Sequence, residues 1–460
     1  MTRQYLLLFF FFLIYTNTLL AQAKYEGYGS GTRGGRGKPK VHVRNLNATG
    51  PGSLYAAMGS NRTIVFDVGG TINNFRWDAS DENVVLSYLT IDGSTAPAPG
   101  ITLNNNNNGN GLSFQNGCHD IIVKNIRVRN AGNDGFNVVR GCHDIVFDHV
   151  SSVNNRDGDL DITDSCYNIT VQWSILGPGI QGWSGAMLIA YPGTKDISVH
   201  HNLFASHGRG IGERNPLVHN ATDYKPNIIS YLMVDFTNNI VWKWGNSNEG
   251  FGYGSGADYG GTLQARNNFY QSASQPENAI IKNKDSHGAK IYASGNVSGN
   301  SGFNPNQAGN VSTPWRVAPV TTQDACTAAK KVLAEAGPRP LDAIDQALIN
   351  AVSLANCPGG LNQLPSANAG KDVVLILPKN SVIINGTGSD IDGRIINYNW
   401  SKVSGPATYT IRMTNTATTT FSNLVKGTYI FRLTVTDNRG GVATDNVTIT
   451  VKPATIPHRK

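Results

Sequence analysis

Charge is scarce in this chain, and aromatic residues are few: Asp, Glu, Lys and Arg make up 15% of the 460 residues, and Phe, Trp and Tyr 9%. No cluster of lysines and arginines interleaved with aromatics occurs, which excludes a nucleic-acid platform. Beyond Ala23 no apolar run is long enough to span a bilayer, which excludes a later helical membrane segment. Cysteine is limited to five residues. Cys326 and Cys357 bracket a helix-like segment and could pair in an exported protein, whereas Cys118, Cys142 and Cys166 need another explanation.

Glycine is plentiful, with 51 residues, and asparagine recurs throughout. With so little charge, that suits an all-β chain with many turns. The length exceeds what one ordinary core fills, so two domains or one long repeat domain are expected. The N-terminus carries Arg3, an apolar run from Tyr5 to Tyr15, and Ala21-Gln22-Ala23, a small-x-small cleavage pattern. Residues 1–23 therefore read as a signal peptide and the protein as secreted, extracellular or periplasmic. The net charge of +7 serves solubility or attraction to a polyanion.

The three remaining cysteines recur every 24 residues, inside Gly117-Cys118-His119-Asp120-Ile121, Gly141-Cys142-His143-Asp144-Ile145 and Ser165-Cys166-Tyr167-Asn168-Ile169. Alternating apolar residues follow each. A period of this length signals a solenoid, and short β-rich segments between Asn/Gly/Asp turns make it a β-solenoid. Weaker copies contain Asp196-Ile197, Val234-Asp235, Leu263-Gln264 and Ile291-Tyr292. Equivalent residues on successive coils stack about 4.8 Å apart. The cysteines then read as a buried ladder of free thiols rather than a metal site, and Asn residues at the corners as hydrogen-bonding ladders.

After Pro314 the pattern changes. Ala328, Val332, Leu333, Leu341, Ile344, Leu348 and Val352 recur at helical spacing, interrupted at Pro338-Arg339-Pro340. The expected organisation is a β-helix over 24–357 ending in this helical segment, a linker over 358–366 and a β-sandwich over 367–453. The sandwich is read from short alternating strands around Trp400, taken as core.

Chemistry concentrates in the coil after Cys142, at Arg156-Asp157-Gly158-Asp159-Leu160-Asp161-Ile162. Strict alternation points Leu160 and Ile162 inward, and Asp157, Asp159 and Asp161 outward together. One coil earlier lies Asp134. Carboxylates this close repel unless a cation joins them, and Ca²⁺ suits such an all-oxygen set; a solvated acidic face is the alternative. Arg214, two coils further on, overhangs the cluster, or forms a surface ion pair with Glu213.

These residues carry a family resemblance. Gly34-Gly35-Arg36-Gly37, Val43-Arg44-Asn45-Leu46, Leu89-Thr90-Ile91-Asp92-Gly93-Ser94, Phe147-Asp148-His149, Asp157-Gly158-Asp159-Leu160-Asp161-Ile162, Val199-His200-His201-Asn202 and Arg214-Asn215-Pro216 follow in order, and from Gly27 to Val352 the chain resembles polysaccharide lyase family 1, the pectate lyases. The resemblance implies a right-handed parallel β-helix and Ca²⁺-assisted β-elimination of polygalacturonate (pectate). It implies that Asp134, Asp157 and Asp161 are metal ligands and Arg214 the catalytic base. Three departures stand out: Gly132 replaces an acidic residue, no lysine occurs from Trp183 to Ile189, and His219 replaces a second arginine. Arg209, His219, Lys225 and Lys243 are the expected substrate-binding residues. A polygalacturonase-type hydrolase and a non-catalytic carbohydrate-binding β-helix remain as alternatives. Residues Ala367 to Val451 resemble a polycystic-kidney-disease (PKD) domain through Gly388-Ser389-Asp390, Tyr398-Asn399-Trp400 and Gly427-Thr428-Tyr429. The expected partner is an acidic polysaccharide, with neither nucleic acid nor membrane, and the chain is read as a monomer.

Overall fold

The 24-residue spacing becomes the register of a parallel sheet. In the computed structural model, His119 pairs with His143 and His143 with Tyr167, so the cysteines just before them share one column. The structure describes residues 25–180, 185–205, 212–221, 232–245, 252–282, 288–355, 357, 364–390, 395–437 and 441–454. The N-terminal segment read as a signal peptide, Arg209 and Lys225 lie outside them. The chain divides into two compact units, Met1–Val352 and Ser353–Lys460.

In the first unit each full coil supplies three strands. Among the described residues these build parallel sheets of ten, nine and eight strands. The first face runs from Lys40–Val43 to Lys290–Ser294, the second from Gly70–Asn73 to Val297–Ser298, and the third from Trp77–Asp78 to Ile280–Lys282. Alternation aims every second residue inward. Ile121, Ile145, Ile169, Ile197, Val234, Leu263 and Ile291 thus form one fully buried column of the first face. Burying each such side chain contributes about 1.5–3 kcal/mol. The core is one-dimensional, built coil by coil.

Polar ladders tie the corners. Asn239 accepts from the Asn202 amide at 2.9 Å, Asn268 from Asn239 at 2.8 Å and Asn296 from Asn268 at 2.9 Å. Each side chain also donates to a carbonyl of the preceding coil, Val171, Val199 and Phe236 in turn, which satisfies these buried amides. Cys118, Cys142 and Cys166 are free and buried. The contact with Cys142, then burial, pushes the Cys118 thiol far up, which makes it inert. Cys326 and Cys357 are disulfide-bonded. A thiol reagent is therefore expected to find no cysteine in the native protein and the free trio of Cys118, Cys142 and Cys166 after non-reducing denaturation. Prompt native labelling would show that the column is open to solvent.

The helix-like segment forms Ala325–Glu335 and Ala343–Ala351, each N-capped by an aspartate, Asp324 and Asp342. Periodicity put Ile344 on the packed face. The structure instead leaves Ile344 39% exposed and buries Asp345 completely. The cause lies on the second face, where Arg127 and Arg129 are themselves buried. Asp345 accepts from Arg127 Nε at 3.2 Å, from Arg129 Nη2 at 2.8 Å and from Ser151 Oγ at 2.6 Å. Two buried arginines set the helix register, which apolar spacing cannot reveal. Asp345→Ala should destabilise the β-helix by about 3–5 kcal/mol, read from urea denaturation, because it removes the fully buried carboxylate shared by both arginines and leaves them the partly exposed Asp342 alone. A loss under about 1 kcal/mol would mean the arginines find water or other partners.

The neighbouring Asp342 adds a pH dependence. Burial alone would push its carboxyl up, but Arg129, the Asp345 amide and Arg127 outweigh burial and hold it below the usual range. A depressed folded-state pKa gives stability that is complete above the unfolded value, near 3.9, and disappears as pH falls through the folded one. The Asp342→Asn variant should therefore differ from the parent at neutral pH and converge with it in strong acid.

The first strand of the second unit is Ser366–Asn368. A four-stranded sheet holds Val373–Ile376, Ile395–Ser404, Gly427–Asp437 and Val442–Lys452; a three-stranded sheet holds Val382–Asn385, Thr410–Arg412 and Thr418–Ser422. Between them lie Trp400, Phe421, Tyr429, Phe431, Leu433 and Val447. Trp400 is 2% exposed and its indole donates to the Thr416 carbonyl at 3.1 Å. It is a core residue, not a sugar platform.

Candidate active site

The third face carries the acidic cluster on its outer side. Along it Leu160, Ile162, Ile189, Val218 and Ala257 belong to the core. Alternation then turns Asn137, Asp161, Leu188, Leu217 and Gly256 outward in one column, paired strand to strand. The next outward column holds Thr163, Ala190, His219 and Asp258.

At the entry to these strands Asp134 stacks under Gly158, whose amide donates to Asp134 Oδ1 at 2.8 Å. The other Asp134 oxygen accepts from Asn137 at 2.6 Å. Asp161 Oδ1 accepts from the Leu188 amide at 2.9 Å. Burial first, then the Asp157 charge, pushes the Asp134 carboxyl up to about 6, against the pull of its hydrogen bonds. Asp161 is raised well above the ordinary carboxylate range by burial, and then by Asp134 and Asp157. Asp157 is the exposed member, with 53% of its side chain accessible.

Asp159 does not join them. The strand begins only at Leu160, so the alternation that turned Asp159 outward does not yet apply there. Its side chain is fully buried, accepts from Asn155 at 2.6 Å, and burial pushes its carboxyl well up. It is a structural acid under the turn.

Arg214 arrives two strands beyond Asp161, just before Leu217–His219. Its carbonyl accepts from the Met187 amide at 2.9 Å, and its φ of 63° is left-handed, a conformation uncommon outside glycine and kept where surrounding structure enforces it. Gly185 lies beneath it: a Cβ there would come within 2.3 Å of Arg214 Cβ. The guanidinium reaches back to the acids, with Nη1 3.9 Å from Asp157 Oδ1. Burial pulls this guanidinium down, but Asp161, Tyr253, Glu213 and Asp157 together push it up and prevail.

The remaining expected site residues divide. His219 faces outward on the same sheet, its Nδ1 2.7 Å from Asp258 Oδ1. Lys243 follows the second-face strand Ile240–Trp242, and its ammonium lies over the Trp242 ring, 5.3 Å from the centroid. It therefore stands on a different sheet from Asp161 and His219. Gly132 has a local cause: a Cβ there would sit 2.5 Å from the Asn107 carbonyl oxygen. The asparagine-rich turn below fills the space an acidic side chain would need. Asp258, Glu213 and Tyr253 complete the surroundings. Asp258 escaped sequence reading because it lies 39 residues beyond His219, in a coil far longer than the founding repeat.

The donor set suits a hard cation in kind, being carboxylates that raise one another's pKa. The side chains do not stand as a closed cage: among the described residues no three His, Cys, Asp or Glu side chains group closely enough to hold a metal ion.

Comparison with known proteins agrees with this architecture. Residues 369–451 match a family model described as a PKD domain. The chain is 35% identical over 251 residues to "Probable pectate lyase C" of Emericella nidulans, covering 53% of this chain and 52% of that protein. The Aspergillus oryzae protein of the same name is 34% identical over 254 residues, covering 54% and 53%. The chain thus spans about half the length of these relatives. Among solved structures, a Bacillus subtilis pectate lyase variant aligns at 16% identity over 69% of this chain and 97% of its own, with a TM-score of 0.46. The first unit is a pectate lyase-like β-helix and the second carries a PKD domain.

Proposed function

We propose that the chain is a secreted polysaccharide lyase that cleaves polygalacturonate by Ca²⁺-assisted β-elimination at Asp134, Asp157, Asp161 and Arg214. One observation carries the reading: the coil register brings a partly buried arginine over a cluster of carboxylates whose charges are felt by one another. Homology to probable pectate lyases supports the substrate class, and the disulfide-bonded cysteines favour an oxidising destination.

The chemistry follows from the substrate. C5 of a uronate bears a proton next to the carboxylate; its removal builds charge on the carboxylate oxygens, the C4–oxygen bond breaks with its electron pair leaving on the oxygen, which takes up a proton from water, and a C4–C5 double bond remains. A calcium ion held by Asp134, Asp157 and Asp161 would bind the substrate carboxylate and stabilise that charge. Arg214 is the group positioned to receive the C5 proton. Arginine is a reluctant base, and here the acids beside it hold its proton on. Burial alone opposes those groups and favours the neutral guanidinium.

Mass spectrometry of the cleaved polymer separates this reading from hydrolysis. Elimination leaves one new end lighter by one water than a hydrolytic product. Products that all carry the added water would support the polygalacturonase-type alternative, whose inverting chemistry needs carboxylates on both sides of the scissile bond.

A further inference from the structure

The geometry points to Arg140 as a second carboxylate-binding residue, holding another uronate of the polymer while Asp161 and Arg214 serve the one being cleaved. The inference rests on the polysaccharide reading and deepens it, adding a subsite away from the cleaved bond.

Arg140 follows the third-face strand Phe136–Val138 and is exposed. Its backbone is left-handed, with a φ of 61°, as are Asn116 at 58° and Asp164 at 55°, one coil to either side. Asparagine and aspartate enter that conformation readily and arginine does not, so the corner itself does not account for the residue. Beneath it runs a chain of polar side chains, Asp78, Ser113 and Gln115, all buried. Gln115 Nε2 donates to Asp78 Oδ1 at 2.8 Å and to Ser113 Oγ at 3.1 Å. That turns Gln115 Oε1 toward Arg140, whose Nη1 donates to it at 3.1 Å. The reverse amide orientation would set an oxygen against the Asp78 carboxylate and N–H groups against the guanidinium, so the chemistry fixes this one.

A buried chain that ends on an exposed guanidinium through a neutral amide aims the cation without neutralising it. Burial raises the Asp164 carboxyl and the Arg140 charge pulls it the other way, yet among the described residues no ion pair holds the guanidinium. Gln115 takes one of its N–H groups, and the others are free to grip a carboxylate at two points. The place suits a polymer. Ser113, Asn137 and Asp161 form one outward column, and Gln115 lies beside Ser113 in the next. The guanidinium therefore stands over the third face two coils, ~10 Å, before the acidic cluster. A polyuronate carries a carboxylate on every residue, so one seated at Asp161 and running along this axis lays another there.

The test is isothermal titration, with calcium present, of the full chain carrying Arg214→Lys to spare the ligand, against oligogalacturonates of increasing length. Affinity should step up on the order of tenfold at the length that first reaches Arg140, the gain from hydrogen bonds to a charged group. Adding Arg140→Gln should remove the step and leave shorter oligomers bound as before, whereas a loosened fold would weaken every length alike. Gln115→Leu keeps the arginine but not its aim, so it should shrink the step several-fold. Should Gln115→Leu fail to fold, Arg140→Gln decides alone. No step, a step that survives Arg140→Gln, or equal weakening at every length overturns the inference. If the step is found and depends on Arg140 but the unaltered chain yields no unsaturated product from polygalacturonate, the lyase reading fails and the subsite stands.

Discussion

Arg214→Lys should lower turnover on polygalacturonate by roughly 10²–10⁴-fold, the range a positioned proton-transfer group supplies, while the denaturation midpoint stays close to that of the parent. Lysine keeps a positive charge, so a purely electrostatic role would survive the change. What it loses is the planar fork and the reach of the guanidinium, which spans from the Gly185 gap to within 3.9 Å of Asp157. The effect should fall on kcat more than on KM, because the interaction matters most when the proton moves. The fold should tolerate the variant, since the partly exposed side chain packs outside the core. Near-parental turnover would remove Arg214 from the chemical step.

The second large effect concerns calcium. Excess chelator should abolish activity, and Asp161→Asn should raise the calcium needed for half-maximal rate on the order of tenfold or more, since ligand charge sets the affinity of such sites. Asp161 is the sensitive position: it is nearly buried and its charge is felt by both Asp134 and Arg214. Asp159→Asn provides the contrast. That side chain is sealed beneath the turn and bonded to Asn155, so its loss should change stability and leave the calcium requirement where it was. If both variants shifted the calcium requirement equally, the effect would come from a loosened turn rather than a lost ligand.

These expectations depend on how the fold announces itself in sequence. Where coils keep the 24-residue length, register is legible directly: Asp134 could be placed under Gly158 from spacing alone, and the Gly158 amide bonds it there. Arg214 could be placed two coils on because anchors recur at Asp196-Ile197 and Leu217–His219 pairs with Leu188–Ala190. Legibility ended where coils lengthen. Asp258 belongs beside His219 but is too far along the chain for any fixed period to find. Strict alternation also failed at Asp159, because a residue in a turn has no assigned face until the strand begins. Ile344 failed for another reason: helical periodicity counts apolar residues, and this helix is oriented by Asp345 meeting two buried arginines on a face remote in sequence. The C-terminal strands were legible because alternation is regular there, as in Gly427–Asp437, whose inward residues Tyr429, Phe431, Leu433 and Val435 are all buried.

The most direct measurement is continuous ultraviolet absorbance during incubation of the full chain with polygalacturonate and calcium, followed by chelator and then fresh calcium. If calcium-assisted elimination is the reaction, absorbance from the new C4–C5 double bond should rise, stop on chelation and resume when calcium is restored. Saturated oligosaccharides released without that absorbance, or a rate indifferent to chelator, would contradict it.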